Sequence, residues 1–433
     1  MERQYSERYR FSEQMLERAL KYIPLGCQTF SKSKALFPYG VSPYFIKRGQ
    51  GSHVWDVDDN EYIDYISALA AITLGHNDPD VTAAVRSQLN DGTIFSLSHE
   101  LELLVAEKII EMVPCAEMVR FGKSGSDVTA GAVRLARAYT KREHIAVCGY
   151  HGWQDWFIAS TTRNLGVPNL LSNLVHSFTY NNIDSLERLF ERYPNKIAGV
   201  IMEPINFIDP DDGFLEKVKE STHRYGAILI FDEIITGFRY AIGGAQEYFN
   251  VKPDLATFGK GMANGYPLSA VAGRGDIMKL MEEIFYSFTF GGETLSLAAS
   301  LATLKKIQKE PVIETLWKQG RKLVEGTEKL IERYSLNDVI TMGGKSCWSS
   351  VLFKDAGAYS QWEIKTLFMQ EVLKRGILTF GSHNITYAHS NEDISRVIDV
   401  YGQVFSIIKD VITNEDLDKR LKAAPLTPLF KIR

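Results

Sequence analysis

The sequence predicts an α/β fold: a mainly parallel central sheet with flanking helices, plus a smaller α+β lobe assembled from both chain ends. Two observations carry this expectation. Short continuous apolar runs, Ile145-Ala146-Val147, Ala198-Gly199-Val200-Ile201-Met202 and Ala227-Ile228-Leu229-Ile230-Phe231, alternate with helical periodicity at 99–112, 126–140, 183–192 and 213–224. Runs of that length suit strands buried on both faces, and strands alternating with helices make a parallel sheet. In addition, polar or aromatic residues follow each run at once, and ligands of open α/β sheets gather beyond the carboxyl ends of the strands.

In chain order, Phe11, Met15, Leu16, Ala19 and Leu20 recur at helical spacing and predict a leading helix over 7–22. Pro24, Gly26, Pro38, Gly40 and Pro43 mark an irregular entry loop. Tyr44-Phe45-Ile46 and His53-Val54-Trp55-Asp56 read as short strands, with a turn near Asp58-Asp59-Asn60. The α/β alternation begins near residue 99. A long helical pattern follows residue 297, and the tail from about 335 mixes strands and helices. The expected division is 1–69 in the small lobe, 70–320 in the large domain and 321–433 back in the small lobe.

Composition narrows the function. With 49 Lys+Arg against 53 Asp+Glu the formal net charge is −4, unlike the basic footprint of a nucleic-acid binder. Cys27, Cys115, Cys148 and Cys347 are scattered, without CxxC or zinc spacing, and suggest a reduced cytoplasmic setting. The start, Met1 to Arg8, is polar with no apolar segment behind it, and no run approaches the ~20 apolar residues of a membrane span. The nine histidines show no metal-ligand spacing, so no metal is expected.

Four strand ends present candidate chemistry: Glu203-Pro204 follows Met202, Asp232-Glu233 follows Phe231, Tyr150-His151-Gly152-Trp153 follows Gly149, and a small-residue turn follows Phe121. Met118-Val119-Arg120-Phe121 leads into Gly122-Lys123-Ser124-Gly125-Ser126-Asp127 and a helix. Small residues before a helix N-terminus can cradle a phosphate. The turn is equally readable as a capped helix start, with Ser126 or Asp127 as the cap. Asp232 directly follows an apolar run, where a carboxylate must be paired. It is readable as a helix cap, as a partner of Arg239, or as the partner of a protonated heteroaromatic nitrogen. Lys260 sits between Gly259 and Gly261 in a loop bounded by apolar segments. A desolvated lysine loses basicity and can form a Schiff base. Tyr150 and Trp153 are readable as core aromatics, and Tyr150 beside His151 as a plate for a planar ring. A phosphate cradle, a stacking ring, a carboxylate and a loop lysine are together what pyridoxal phosphate requires.

These motifs resemble the class III aminotransferases of the fold-type I pyridoxal-phosphate enzymes, and most closely their glutamate-1-semialdehyde aminomutase-like branch. The resemblance runs from about residue 20 to 400. It is carried by Gly51 to Tyr65, by Leu74-Gly75-His76-Asn77-Asp78-Pro79, by the turn from Ser124 through Arg137, and by Phe231-Asp232-Glu233-Ile234-Ile235-Thr236-Gly237-Phe238-Arg239 with Lys260 28 residues after Asp232. It implies that Lys260 forms the Schiff base and shuttles the proton, and that Asp232 pairs with the pyridine nitrogen. It implies Tyr150 and Ile234 on the two ring faces, and Gly125 and Ser126 on the phosphate. Thr289 would reach the phosphate of a neighbouring subunit, making a homodimer with interface sites. Glu203 matches a glutamate near the ring.

Four positions depart from the pattern. Lys123 stands where the family often has Asn, and Glu293-Thr294 replaces Asn-Pro. The early loop reads Phe30-Ser31-Lys32-Ser33-Lys34 in place of a carboxylate-binding arginine, and Gly381-Ser382-His383-Asn384 lacks the aminomutases' glutamate before Ala388-His389. Lys32, Lys34, His151, His383 and Asn384 are therefore the candidate substrate contacts. The expectation is an aminotransferase moving an amino group from a small-molecule donor to a carbonyl acceptor through a pyridoxamine form. The neutral polar groups before Ala388 suggest a polyhydroxylated acceptor. The alternatives are the intramolecular aminomutase and a regulatory protein that keeps the fold without catalysis.

Overall fold

A computed structural model of the chain describes residues 7–428. Positions 1–6 and 429–433, which the sequence reading gives to the small lobe, lie outside the described residues. Two compact units result. One takes in the chain up to Leu69, Leu74–Asp78 and the chain from Glu314; the other takes in Ala70–Thr73 and Pro79–Ile313.

The second unit is built on seven strands: β1 (Met118–Gly122), β2 (His144–Cys148), β3 (Val175–Ser177), β4 (Ile197–Met202), β5 (Ile228–Asp232), β6 (Leu255–Phe258) and β7 (Ser269–Gly273). Their order across the sheet is β1-β7-β6-β5-β4-β2-β3. The pairs from β6 to β3 are parallel, whereas β7 runs antiparallel to both neighbours. Every residue of β4, β5 and β6 is buried, as two-sided coverage demands. The helices include α1 (Gly125–Thr140), α2 (Ile183–Arg192), α3 (Phe214–Arg224) and α4 (Thr294–Lys309). Ala132, Leu135 and Ala136 of α1 join Ile145, Val147, Ile201 and Ile230 in one core. Leu186, Phe190, Leu215 and Val218 of α2 and α3 join Val200, Leu229 and Phe231 in the other. The α/β expectation therefore holds, with a central, mostly parallel sheet and flanking helices. The long helical pattern after residue 297 is two helices, α4 and Val312–Arg333, parted at Glu310-Pro311, because proline cannot be held inside a helix.

In the first unit a four-stranded sheet runs Ile46–Gln50, His53–Asp56, Glu61–Asp64 and Ile377–Leu378. Its last strand is parallel to the third, Ile377 opposite Ile63, so the two chain ends share one sheet. A second sheet pairs Ile340–Lys345, Trp348–Phe353 and Ser382–Asn384. Ser52 and His53 also reach Asp393 at the start of the helix Asn391–Asn414, at 2.8 and 3.0 Å. Among the described residues no helix is long and apolar enough to cross a membrane.

Candidate functional site

The parallel register aligns the strand ends: Cys148 lies opposite Met202, Met202 opposite Phe231, and Asp232 opposite Thr257. Tyr150 and His151, Glu203, Asp232 and Lys260 all follow from these ends, so one rim of the sheet gathers them.

Asp232 is 5% exposed. Its Oδ2 is 2.8 Å from His151 Nδ1, and its Oδ1 accepts from Ile234 N–H at 3.2 Å and from the Thr257 hydroxyl at 3.4 Å. The His151 imidazole is thus an ionisable partner of this carboxylate. The His151 ring is itself buried, packed edge-on to Phe157 at 5.3 Å. Its Nε2 finds no hydrogen-bond partner.

Glu203 lies beside these groups. Tyr150 N–H donates to its Oε2 at 3.2 Å. Gly149, with φ +106°, leaves room for that carboxylate, because a Cβ there would collide with it. Burial first, then the charge of Asp232, pushes the Glu203 carboxyl up to about 7. Burial lowers the Lys260 amine; Glu203 and Asp232 oppose that shift and the buried Arg239 adds to it. Lys260 opens a short turn after β6 with φ +44°. A non-glycine residue there costs about 1–3 kcal/mol, and such strain collects at working sites. The neighbouring Glu233 serves the fold: its carboxylate accepts from Thr236 Oγ1, Ala245 N, Gln246 N and Gln246 Nε2.

The turn before α1 is a helix cap whose free backbone donors would suit an anion. The cap is Ser124, neither Ser126 nor Asp127, and Asp127 completes the box by accepting from Ser124 N–H at 2.7 Å. Gly125 and Ser126 then occupy the first two helical positions, whose N–H groups have no acceptor within the helix. Gly152, with φ +101°, faces them; a Cβ there would collide with Ser126 Oγ. Ser126 Oγ accepts from Trp153 N–H at 3.1 Å. A Cβ on Gly125 or on Gly259 would meet Ile234 Cδ1 at 3.2 Å in either case, so Ile234 stands between the phosphate turn and the lysine loop. Tyr150 is 47% exposed and its ring meets Phe157 edge-on at 5.6 Å.

The family model for aminotransferase class-III matches residues 37–391. The chain belongs to the class III aminotransferases. It is 33% identical over 413 residues to the 3-aminobutyryl-CoA aminotransferase of Cloacimonas acidaminovorans, covering 93% of this chain and 98% of that one. It is 35% identical over 423 residues to the glutamate-1-semialdehyde 2,1-aminomutase of a Sulfurihydrogenibium species, covering 91% and 98%. Among solved structures, the FumI protein of a Sphingopyxis species, in its PLP internal aldimine form, superposes with a TM-score of 0.87 at 28% identity over 96% of this chain and 98% of that one. The expected family and fold type hold, and this class III aminotransferase family member is a pyridoxal-phosphate-dependent enzyme of amino transfer.

The residues present fit that cofactor. Two orphan N–H groups at the start of the 16-residue helix α1 suit a phosphate. A buried carboxylate suits a protonated ring nitrogen. An exposed tyrosine face and Ile234 suit a planar ring, and an amine of lowered basicity suits an aldehyde.

The candidate substrate contacts are distributed differently from the expectation. His151 backs Asp232 and is 1% exposed, so it does not present its ring to a substrate. His383 is fully buried in the first unit, with Nδ1 3.0 Å from Ser349 Oγ and Nε2 2.7 Å from Tyr401 OH; both nitrogens are engaged. Asn384 donates to the Ile66 carbonyl at 2.7 Å. His383 and the Asn384 amide nitrogen thus serve the fold, while Asn384 Oδ1 is buried with no hydrogen-bond partner. Lys32 and Lys34 are exposed, and Lys32 lines an apolar cavity of about 520 Å³ with Cys27, Phe37, Phe45, Leu69 and Phe380. Thr289 is exposed in the loop before α4. Sequence reasoning missed Arg239 as a group whose charge acts on Lys260; its only signal was an arginine closing the Asp232 motif.

Proposed function

We propose that the protein is an intermolecular aminotransferase that works by two half-reactions at the rim formed by β2, β4, β5 and β6. The observation that carries the reading is the half-buried Lys260 on a strained turn, with Asp232 and Glu203 close enough to act on its charge. When bound, pyridoxal phosphate supplies a carbonyl that takes up the amino group and a ring that withdraws the electrons left at the donor carbon. The chain's own residues do the rest. Lys260 Nζ would hold the cofactor's aldehyde end at rest, and once freed would take the proton from the donor carbon and deliver it to the carbon that carried the aldehyde. Asp232 holds a proton on the ring nitrogen, and His151 fixes that carboxylate through Nδ1. Gly125, Ser126 and the start of α1 bind the phosphate, Tyr150 and Ile234 cover the ring faces, and Glu203 holds a proton beside the ring edge.

The reading extends to a homodimer. Leu97 is 85% exposed, Phe285 87% and Phe290 58%. The loop that carries the exposed Phe290 also carries Thr289, which would reach the neighbouring copy's phosphate. Four free cysteines support a cytoplasmic setting. The intramolecular aminomutase is the competing reading, favoured by the 35% identical relative of that name. Two assays separate them. Incubation with a single amino donor should bleach the cofactor's visible band and release one equivalent of the donor's keto product. Isomerisation of glutamate-1-semialdehyde without any added amino acceptor would instead establish the aminomutase. Lys260→Ala should lower turnover by about 10²–10⁴-fold or more; a variant that kept its rate would remove Lys260 from the chemistry.

A further inference from the structure

Lys123 lies inside the phosphate turn, yet its side chain turns away to the start of α4. Its Nζ is 3.1 Å from Glu293 Oε2, with side chains only 21% and 18% exposed. Glu293 is held whether or not Lys123 is present. Its carboxylate accepts from Leu295 N–H at 2.8 Å, Ser296 N–H at 3.2 Å and Ser296 Oγ at 2.5 Å, as the N-cap of α4. The next residue, Thr294, is fixed in turn by N–H and hydroxyl bonds of 2.9 Å to the carbonyls of Thr93 and Gly92. One turn and a half further along the same helix, Ser300 Oγ donates to the Met262 carbonyl at 3.2 Å, inside the Lys260 loop. Helix α4 therefore grips both ends of the cofactor site: the lysine end through Ser300 and the phosphate end through Glu293.

We propose that the Lys123–Glu293 ion pair is a positioning device: it sets the phosphate turn at a fixed distance from Lys260 by clamping that turn to α4. The inference rests on Gly125 and Ser126 holding the cofactor phosphate. The turn's other ties do not reach α4. Lys123 N–H and Ser124 N–H both go to Asp127 Oδ2, at 3.1 and 2.7 Å, while Ser269 Oγ donates to the Ser124 carbonyl at 2.8 Å and Trp153 N–H to Ser126 Oγ at 3.1 Å.

The test is the dissociation constant of pyridoxal phosphate from the apoenzyme, read by quenching of intrinsic fluorescence, for four variants. Lys123→Met and Glu293→Gln should each weaken binding by about three- to tenfold, and the double variant should be little weaker than either single one. Lys123→Arg, which keeps the pair, should bind like the parent. Glu293→Gln keeps an oxygen for the helix cap; if it nonetheless fails to fold, Lys123→Met and Lys123→Arg carry the comparison. Glu293→Gln binding the cofactor as well as or more tightly than the parent would overturn the proposal, since Glu293 would then merely compete with phosphate for Lys123. Additive losses in the double variant would overturn it as well. A parent protein that does not bind the cofactor defeats the reading of the site itself, whereas tight parent binding matched by every variant defeats only the clamp.

Discussion

At the residue scale the sharpest consequence concerns Glu203. Its carboxyl, pushed up to about 7 by burial and by Asp232, holds its proton in the folded protein well above the ordinary glutamate range. Between about 4.3 and 7 the folded state therefore binds more protons than the unfolded one, and this group's contribution to stability falls as pH rises through that window. Glu203→Gln, whose amide oxygen can still accept from Tyr150 N–H, should raise the apoenzyme's melting midpoint relative to the parent by more at pH 8 than at pH 5. An unchanged pH dependence would show that Glu203 is ionised at neutral pH. Asp232 and Lys260 were legible in the sequence because each breaks a local rule: a charge at the end of an apolar run, and a lysine between glycines. His151 was legible only as a neighbour of Tyr150, since its orientation toward Asp232 depends on strands 81 residues apart.

At the scale of elements the phosphate turn is the instructive case. Its length and small residues announced a helix start, but the expected cap, Ser126 or Asp127, was misplaced, because any serine or aspartate near a helix start can accept from its first turn. The structure selects Ser124, which leaves Gly125 and Ser126 N–H outward. Ser124→Ala should cost about 1 kcal/mol of stability, visible in a urea midpoint. Gly152→Ala belongs to the same element. Its Cβ would strike Ser126, so cofactor binding should weaken by tenfold or more while helix content stays constant by circular dichroism; unimpaired binding would remove Ser126 from the cradle. Buried strands β4 and β5 were readable as apolar runs. The antiparallel β7, Ser-Ala-Val-Ala-Gly, was not, because small residues give neither strong period nor bulk. The left-handed run at Ser67, Ala68 and Leu69, φ 47°, 51° and 62°, was also invisible. No glycine marks it, and it is held by Asp64 Oδ1 accepting from Ile66 and Ser67 N–H, both at 2.9 Å.

At the scale of the whole molecule two behaviours follow. The unit built from the chain ends buries two neutral histidines, His383 pushed down to about 3 and His389 to about 4, chiefly by burial. Both are depressed bases, so from about pH 6.5 downward the unfolded chain binds more protons than the folded one, and stability is lost as pH falls toward 4. The denaturation midpoint should drop between pH 7 and pH 5, and His383→Gln should reduce that slope. The proposed homodimer gives the second prediction. If it forms through this face, Leu97→Asp places a charge on an exposed apolar site and should weaken that association at least about fivefold in sedimentation, with activity falling in step if Thr289 serves the neighbouring site. Both features were hidden from the sequence because a histidine's burial and a leucine's exposure are set by distant segments. The central claim is that Lys260, held at the sheet's rim beside Asp232 and Glu203, carries out amino transfer in two separable halves. The most direct measurement is a single-turnover titration of the cofactor's visible absorbance. The account predicts bleaching by an amino donor with one equivalent of keto product, recovery on adding a carbonyl acceptor, and neither in Lys260→Ala. Bleaching and recovery that persist undiminished in that variant would contradict it.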